Sequence, residues 1–236
     1  MRSFARRSTE TEWMEAPEVT PDDLAACLAD LAKANTVTLA RPPTIRWLAR
    51  ATAGLARGEE FSLLDVGYGQ GDMLRAIHAW AVRAGLCPRL IGIDLSPSSE
   101  PAARAATDPA LGIDYRTGDV FDFAPDQPID LVVSSLVAHH MSDEQLVRFI
   151  RWMEATTRRG WFINDLHRHP AAFYGFQALS AAAGWHRFVR HDGPISVARA
   201  FRRADWDRLL AAAAIPPAAV TIEWRFPFRI CVGRVR

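Results

Sequence analysis

Apolar residues fall in short continuous runs, and segments with helical spacing separate these runs. The runs predict five strands, at Phe61–Val66, Arg89–Asp94, Ile113–Arg116, Ile129–Ser134 and Gly160–Asn164, of which the first two are expected to be buried. The segments near 71–84, 98–106 and 142–157 suit helices. Strands that alternate with helices predict a parallel sheet covered on both faces.

The two ends of the chain follow other patterns. Residues 1–16 are polar and arginine-rich, and we expect a frayed arm there. Thr20 and Pro21 then predict a helix start, and a second helix is expected from about Thr44 to Ala56 after the prolines at 42 and 43. The alternating runs at 220–224 and 228–232 predict an antiparallel hairpin at the edge of the sheet.

These elements predict a doubly wound α/β fold with a mostly parallel, seven-stranded sheet, an antiparallel C-terminal hairpin and a helical cap. The cap is expected because the segment between the fifth strand and the hairpin is long and rich in aromatic residues. The expected organisation is an N-terminal arm with lid helices at 1–57, followed by the main domain at 58–236. The cap insertion lies at about 168–215.

Composition narrows the class of partner. The 236 residues carry 28 basic and 27 acidic side chains, so no overall field favours nucleic acid or an anionic membrane. The charge is uneven, however: residues 148–236 carry 15 basic and 6 acidic side chains. Either the two halves present complementary surfaces, or a basic wall faces an acidic acceptor substrate.

The cysteines and the hydropathy indicate a cytoplasmic protein. Cys27, Cys87 and Cys231 are far apart and form no disulfide or zinc pattern. The N-terminus has no apolar core of a secretory signal, and no stretch approaches the roughly 20 apolar residues of a membrane span.

A glycine-rich turn follows the first predicted strand and opens a helix. It runs from Asp65 through Gly67, Tyr68 and Gly69 to Gly71, with the spacing GxGxG rather than GxGxxG. Glycines let the backbone approach a ligand closely, and dinucleotide enzymes use a similar turn. The carboxylate of Asp65 would repel a pyrophosphate but suits a cationic ammonium or sulfonium ligand.

Two further acids end neighbouring strands. Asp94, followed by Leu95, can accept hydrogen bonds from both ribose hydroxyls. Asp119, followed by Val120, can bond an adenine amino group while the apolar side chain packs on the ring. The pattern fits an adenosine-containing ligand.

Taken together, these residues resemble the class I S-adenosylmethionine-dependent methyltransferases of the small-molecule type, over about Phe61 to Asn164. The resemblance implies a Rossmann-like sheet and S-adenosylmethionine as cofactor. It implies that Asp65 and the glycine loop hold the methionine end, while Asp94 holds the ribose. It also implies that Asp119 and Val120 hold the adenine and that Ser134 and Ser135 line the sulfonium.

His139 and His140 follow the fourth strand at the edge where ligands collect in open α/β sheets. An imidazole titrates near neutrality and could take a proton from a hydroxyl acceptor. Small-molecule methyltransferases of this type have similar histidines beside the methyl group. We expect one of these histidines to be the catalytic base, with His139 preferred over His140.

Asp165, His167 and His169 follow the fifth strand. Their spacing is not specific to a metal site, so we favour a polar loop or substrate contacts and predict no metal. The Asp-Leu-x-Arg run that begins at Asp165 and the segment 191–201 are similar to methyltransferases that accompany polyketide synthases. His167, Phe173, Tyr174 and Arg199 are the expected substrate contacts, although aromatic residues in this region also suit a core.

The expected function is methyl transfer from S-adenosylmethionine to a small, largely apolar acceptor. As the methylated atom we rank the oxygen of a phenolic, polyketide-like or quinone-like hydroxyl above carbon, and carbon above nitrogen. Two alternatives stay open: an NAD(P)-dependent oxidoreductase of Rossmann type, and a subunit that binds an adenosyl ligand without turnover. We expect no nucleic acid and no membrane span, and the oligomeric state is unknown.

Overall fold

The buried apolar runs pair into one seven-stranded sheet in the order β3-β2-β1-β4-β5-β7-β6. The computed structural model describes residues 3–15 and 19–236. The strands are β1 (Glu60–Val66), β2 (Cys87–Asp94), β3 (Asp114–Thr117), β4 (Ile129–Ser135), β5 (Thr157–Leu166), β6 (Thr221–Arg225) and β7 (Arg229–Val235). β1 to β5 are mutually parallel, whereas β7 is antiparallel to both β5 and β6. The predicted fold class is confirmed.

Helices cover both faces of this sheet. They are α1 (Pro21–Val37), α2 (Arg41–Ala51), α3 (Asp72–Ala84), α4 (Ser99–Ala105), α5 (Asp143–Thr156), α6 (Pro170–Ala182), α7 (Arg187–Arg199) and α8 (Arg203–Ala212). Successive residues of a strand point to opposite faces. Leu63 therefore packs with α2 and α3, and Leu64 packs with α5 and α8.

Local sequence determines where several helices begin. Thr20 caps α1 by accepting the N–H of Asp23, as predicted. Ser142 and Gln145 form a reciprocal capping box at the start of α5, which fixes the end of the preceding loop. That loop carries His139 and His140, so the cap helps to position them.

The N-terminal arm is packed rather than frayed, so the expectation for residues 1–16 is wrong over the described part, 3–15. Phe4 and Glu12 are buried, and Arg7 donates to the backbone oxygens of His139, Met141 and Arg199. Residues 1, 2 and 16 lie outside the described residues. The arm is held by partners that are distant in sequence, which its own composition does not reveal.

The second helix begins earlier than predicted, at Arg41 rather than Thr44, and it ends at Ala51 rather than near Ala56. Pro42 and Pro43 lie in its first turn, where backbone N–H groups have no acceptor within the helix, so the prolines cost no hydrogen bond. Within α2, Trp47 is buried and stacks on Phe162 with ring centroids 5.1 Å apart.

Asp192, Gly193 and Ser196 lie inside α7. The buried Asp192 accepts the backbone N–H groups of Trp13 and Met14 and thereby holds the arm. A Cβ on Gly193 would lie 2.0 Å from Phe176 of α6, so glycine permits this close helix contact.

Among the described residues, no helix is long and apolar enough to cross a bilayer.

Candidate active site

A cavity of about 860 Å³ opens at the carboxyl ends of the parallel strands. This is the edge at which open α/β sheets bind ligands. The turns after β1, β2 and β4 form one wall, and helices α1, α6 and α7 contribute most of the other. The helical wall is largely apolar and includes Leu24, Leu28, Leu31, Phe176 and Leu179.

The glycine turn lies against this cavity. Gly67, Tyr68 and Gly69 line it, whereas Gly71 lies behind them at the start of α3. Gly67 and Gly71 both have positive φ angles, 77° and 74°. A Cβ on Gly67 would lie 2.2 Å from Val137, and one on Gly71 would lie 2.4 Å from the Tyr115 hydroxyl. Glycine is required at both positions for the turn to close.

Asp65 lies in the cavity wall at the end of β1 and is fully buried. Neither carboxylate oxygen has a hydrogen-bond partner among the described residues. Burial, together with the nearby charges of Asp72 and Asp94, raises the pKa of Asp65 well above its usual range. An unpaired buried carboxylate is costly, so a cationic ligand that donates hydrogen bonds would be favoured here.

Asp94 lies at the end of β2 and also lines the cavity. Its two oxygens accept the backbone N–H groups of Gly69 and Ser96, at 2.9 Å each. The carboxylate therefore ties the glycine turn to the neighbouring strand. Each oxygen keeps a second lone pair that can accept from a ligand hydroxyl.

The remaining predicted cofactor residues divide into two groups. Leu95, Asp119, Val120 and Ser135 line the cavity. Asp119 also caps the short helix Val120–Asp122 by accepting the N–H of Phe121. Ser134 instead points into the sheet, where its hydroxyl donates to the backbone oxygen of Val66.

His139 is the best-positioned candidate base. Its Nδ1 lies 2.7 Å from Oδ1 of the buried Asp165, and its backbone N–H donates to Oδ2 of the same residue. Burial alone would raise the pKa of Asp165, but the His139 imidazole and the N–H groups of Leu166 and His139 more than offset it and lower the pKa. Asp165 is therefore a carboxylate, and it fixes the ring of His139 at the cavity wall.

The arm adds Glu12, a residue that the sequence analysis did not single out. Glu12 is buried and lines the cavity, with Oε1 3.9 Å from Nε2 of His139 and Oε2 3.9 Å from Nε2 of His140. Ser196 donates to Oε1 at 2.8 Å, and Arg199 lies 3.7 Å from it. The sequence around Glu12 does not predict that this carboxylate lies in the cavity wall, because its partners are more than 120 residues away in the chain.

Comparison with known proteins agrees with this arrangement. Residues 63–160 match a family model described as a methyltransferase domain. The match covers the glycine turn, Asp94 and Asp119 of this site. The match argues against the oxidoreductase alternative.

Several solved methyltransferase structures share the fold of this chain at low sequence identity. A methyltransferase from Aquifex aeolicus is 16% identical, with a TM-score of 0.62 over 92% of this chain and 98% of the other. The CurJ carbon methyltransferase is 13% identical, with a TM-score of 0.65 over 92% of this chain and 61% of the other.

The plantazolicin methyltransferase BpumL, in complex with SAH, is 13% identical, with a TM-score of 0.62 over 92% of this chain and 95% of the other. The chain spans about half (46%) of the LepI structure that it also matches. No curated protein matches the sequence.

The four predicted substrate residues do not line the cavity. Phe173 packs in a cluster with Phe4, and Tyr174 is half-exposed. His167 is half-buried beside Phe201. Arg199 donates to the backbone oxygens of His139 and His140, so it supports their loop.

The two sets of potential metal ligands differ in geometry. Among the described residues, Asp165, His167 and His169 do not bring three ligand atoms together, and Asp165 is hydrogen-bonded to His139. Within the described residues, Glu12, His139 and His140 place ligand atoms within 4.8 Å of one another. Because Glu12 already has Arg199 as a cationic neighbour, we interpret this set as a cluster held by electrostatic interactions rather than by a metal.

Proposed function

We propose that the protein is a methyltransferase that transfers a methyl group from S-adenosylmethionine to a hydroxyl oxygen of a small, largely apolar acceptor. The observation that carries the proposal is the Asp165–His139 pair in the wall of a cavity that also contains Asp65 and Asp94. One space therefore holds residues suited to the cofactor and a residue suited to proton removal.

The cofactor half of the cavity fits S-adenosylmethionine through this chain's own groups. The unpaired carboxylate of Asp65 would accept the ammonium of the methionine end, beside Gly67 and Gly69. Asp94 would accept the ribose hydroxyls, and Asp119 with Val120 would hold the adenine. When bound, the cofactor supplies a methyl group on a positively charged sulfur, which makes that carbon electrophilic.

His139 would take the acceptor proton. The Asp165 carboxylate favours a proton on Nδ1, so Nε2 becomes the nitrogen that accepts another one. A phenol has a pKa near 10, so a nearby base increases the fraction of reactive phenolate at neutral pH. His140 is the second candidate, because its imidazole lies beside that of His139, with ring centroids 4.2 Å apart.

Helices α1, α6 and α7, together with the arm, would form the lid and cap of the acceptor half. Their apolar side chains exclude water, which prevents solvent from competing with the acceptor. We therefore keep the cap at 168–215. Its cavity-facing helices are α6 and α7, because α8 packs against α5. We also propose a cytoplasmic location and a small-molecule partner, and we expect no nucleic-acid partner.

Oxygen ranks first as the methylated atom because the base requires an acidic proton on the acceptor. Carbon ranks second, since the same base could ionise a ring hydroxyl and activate the neighbouring carbon. A solved structural neighbour is a carbon methyltransferase. Nitrogen ranks last, and an acceptor related to polyketides or quinones agrees with the apolar cavity walls.

A transfer assay with isotopically labelled S-adenosylmethionine and a panel of phenols and quinols tests the proposal. The wild type should label at least one phenol. His139→Ala should slow transfer about 10²–10⁴-fold and leave the affinity for S-adenosylhomocysteine nearly unchanged. Asp165→Asn should show a similar loss, because it removes the charge that orients the imidazole.

His78→Ala is the matched histidine control and should retain full activity, because His78 lies within α3 and does not line the cavity. Unchanged turnover in both His139→Ala and His140→Ala would eliminate general-base catalysis. Labelling of no phenol, with labelling of amines instead, would contradict the ranking of oxygen.

A further inference from the structure

A buried arginine lies at the end of the cavity farthest from the adenosine residues. Arg229 begins β7 and lines the cavity, yet only 1% of it is exposed to solvent. β7 is four strand positions from β2, which corresponds to roughly 19 Å between Arg229 and Asp94. Arg229 therefore belongs to the acceptor half of the cavity.

The guanidinium of Arg229 is incompletely satisfied by the protein. Nη2 donates to the Thr38 hydroxyl at 3.0 Å, and Nε donates to the Thr38 backbone oxygen at 3.4 Å. Nη1 is buried and has no hydrogen-bond partner among the described residues. Burial lowers the pKa of Arg229 to about 10, although the charges of Cys231 and Asp165 act to raise it.

The nearest acid does not neutralise this guanidinium directly. Asp165 influences Arg229 through space, but its oxygens accept from His139 and from the backbone of Leu166. Since a buried charge is costly unless it is paired and hydrogen-bonded, the unpaired Nη1 is favourable for an anionic ligand. An arginine fork matches the two oxygens of a carboxylate.

We propose that Arg229 anchors a carboxylate of the methyl acceptor, at a distance from the hydroxyl that faces His139. The inference rests on the proposed function, because it assigns this end of the cavity to the acceptor. The acceptor is then an aromatic or similarly flat hydroxy acid rather than a neutral phenol. The excess of basic residues in 148–236 agrees with an acidic acceptor.

The test is a calorimetric titration of the protein saturated with S-adenosylhomocysteine. The probes are 3,5-dihydroxybenzoate and 3-hydroxy-2-naphthoate, each compared with its own carboxamide, which has a similar shape and no charge. The wild type should bind at least one acid about 10- to 100-fold more tightly than its amide. Arg229→Gln should lose this preference.

Arg225→Gln is the matched control, because Arg225 lies opposite Arg229 in the hairpin and pairs with Glu223 instead. It should retain the preference for the acid. Arg229→Lys keeps the positive charge but lacks the guanidinium group that can bind two carboxylate oxygens, so it should retain a smaller preference for the acid. If Arg229→Gln does not fold, the lysine variant is used for the test instead. Unchanged affinity for S-adenosylhomocysteine shows that each variant keeps its cofactor site.

Three results would overturn the proposal: equal affinity for acid and amide, a preference that survives Arg229→Gln, or no binding of either acid by the wild type. These results are separate from failure of the proposed function. That failure would appear as absent cofactor binding, or as unchanged transfer in the histidine variants.

Discussion

Two fully buried aspartates at the carboxyl ends of strands have opposite electrostatic environments. Asp65 has no partner among the described residues and a raised pKa, whereas Asp165 has a lowered pKa because His139 and backbone N–H groups stabilise its charge. The contrast separates their roles. Asp65 is suited to a cationic ligand, as proposed above, whereas Asp165 already accepts hydrogen bonds from His139.

Asp65→Asn should stabilise the ligand-free protein at neutral pH while weakening cofactor binding. A raised pKa means that the folded state holds the proton more tightly than the unfolded state does. The free energy of unfolding of the wild type therefore falls as pH rises from the unfolded value, about 3.9, towards the folded value. The variant lacks this dependence, so at pH 7 it should be more stable by on the order of 1–3 kcal/mol.

Urea unfolding of both proteins between pH 4 and pH 8 measures this difference, which should shrink towards pH 4. Asp114→Asn is the control, since Asp114 is partly exposed and pairs with the exposed Arg116. Equal stabilities of the wild type and Asp65→Asn at pH 7 would show that Asp65 is not an unpaired buried charge.

The sequence predicts the positions of candidate site residues best where the motif is local. The glycine turn, Asp65, Asp94 and Asp119 follow predicted strands directly, so their positions around the cavity follow from the strand order. His139 was also singled out. Its pairing with Asp165, the burial of Glu12 and the orphaned Nη1 of Arg229 depend on contacts between distant segments, which spacing alone does not encode.

The arm is the element whose behaviour differs most from expectation. Arg7 connects it to the histidine loop through the oxygens of His139 and Met141 and through Asp143, 2.9 Å away. Glu12 then enters the cavity wall. A polar, arginine-rich segment is normally frayed, but here its charges meet backbone oxygens and carboxylates of other elements.

Arg7→Ala should loosen the arm without removing the cofactor site. We expect faster proteolysis within residues 3–15 and slower methyl transfer, because the loop that carries His139 loses a support. The affinity for S-adenosylhomocysteine should change little. Limited proteolysis followed by mass spectrometry measures the first effect, and Arg6→Ala, which alters an exposed neighbour, is the control. Equal cleavage of the two variants would contradict the proposed anchoring.

At the scale of the whole molecule, the sheet was predictable because β1, β2, β4 and β5 contain continuous apolar runs and the C-terminal strands alternate. The positions of α2 and α7 were less predictable. Proline is compatible with a first helical turn, and Gly193 lies inside α7, where it permits close contact with α6. Tertiary contacts determine both outcomes.

The proposed function requires a cofactor-binding site formed at the carboxyl ends of β1, β2 and β3. A calorimetric titration with S-adenosylhomocysteine tests this requirement most directly. We predict saturable binding at one site in the wild type. Asp94→Ala should weaken that binding by about 1–3 kcal/mol, the range for losing a charge-assisted hydrogen bond. No measurable affinity of the wild type for S-adenosylhomocysteine or S-adenosylmethionine would contradict the account.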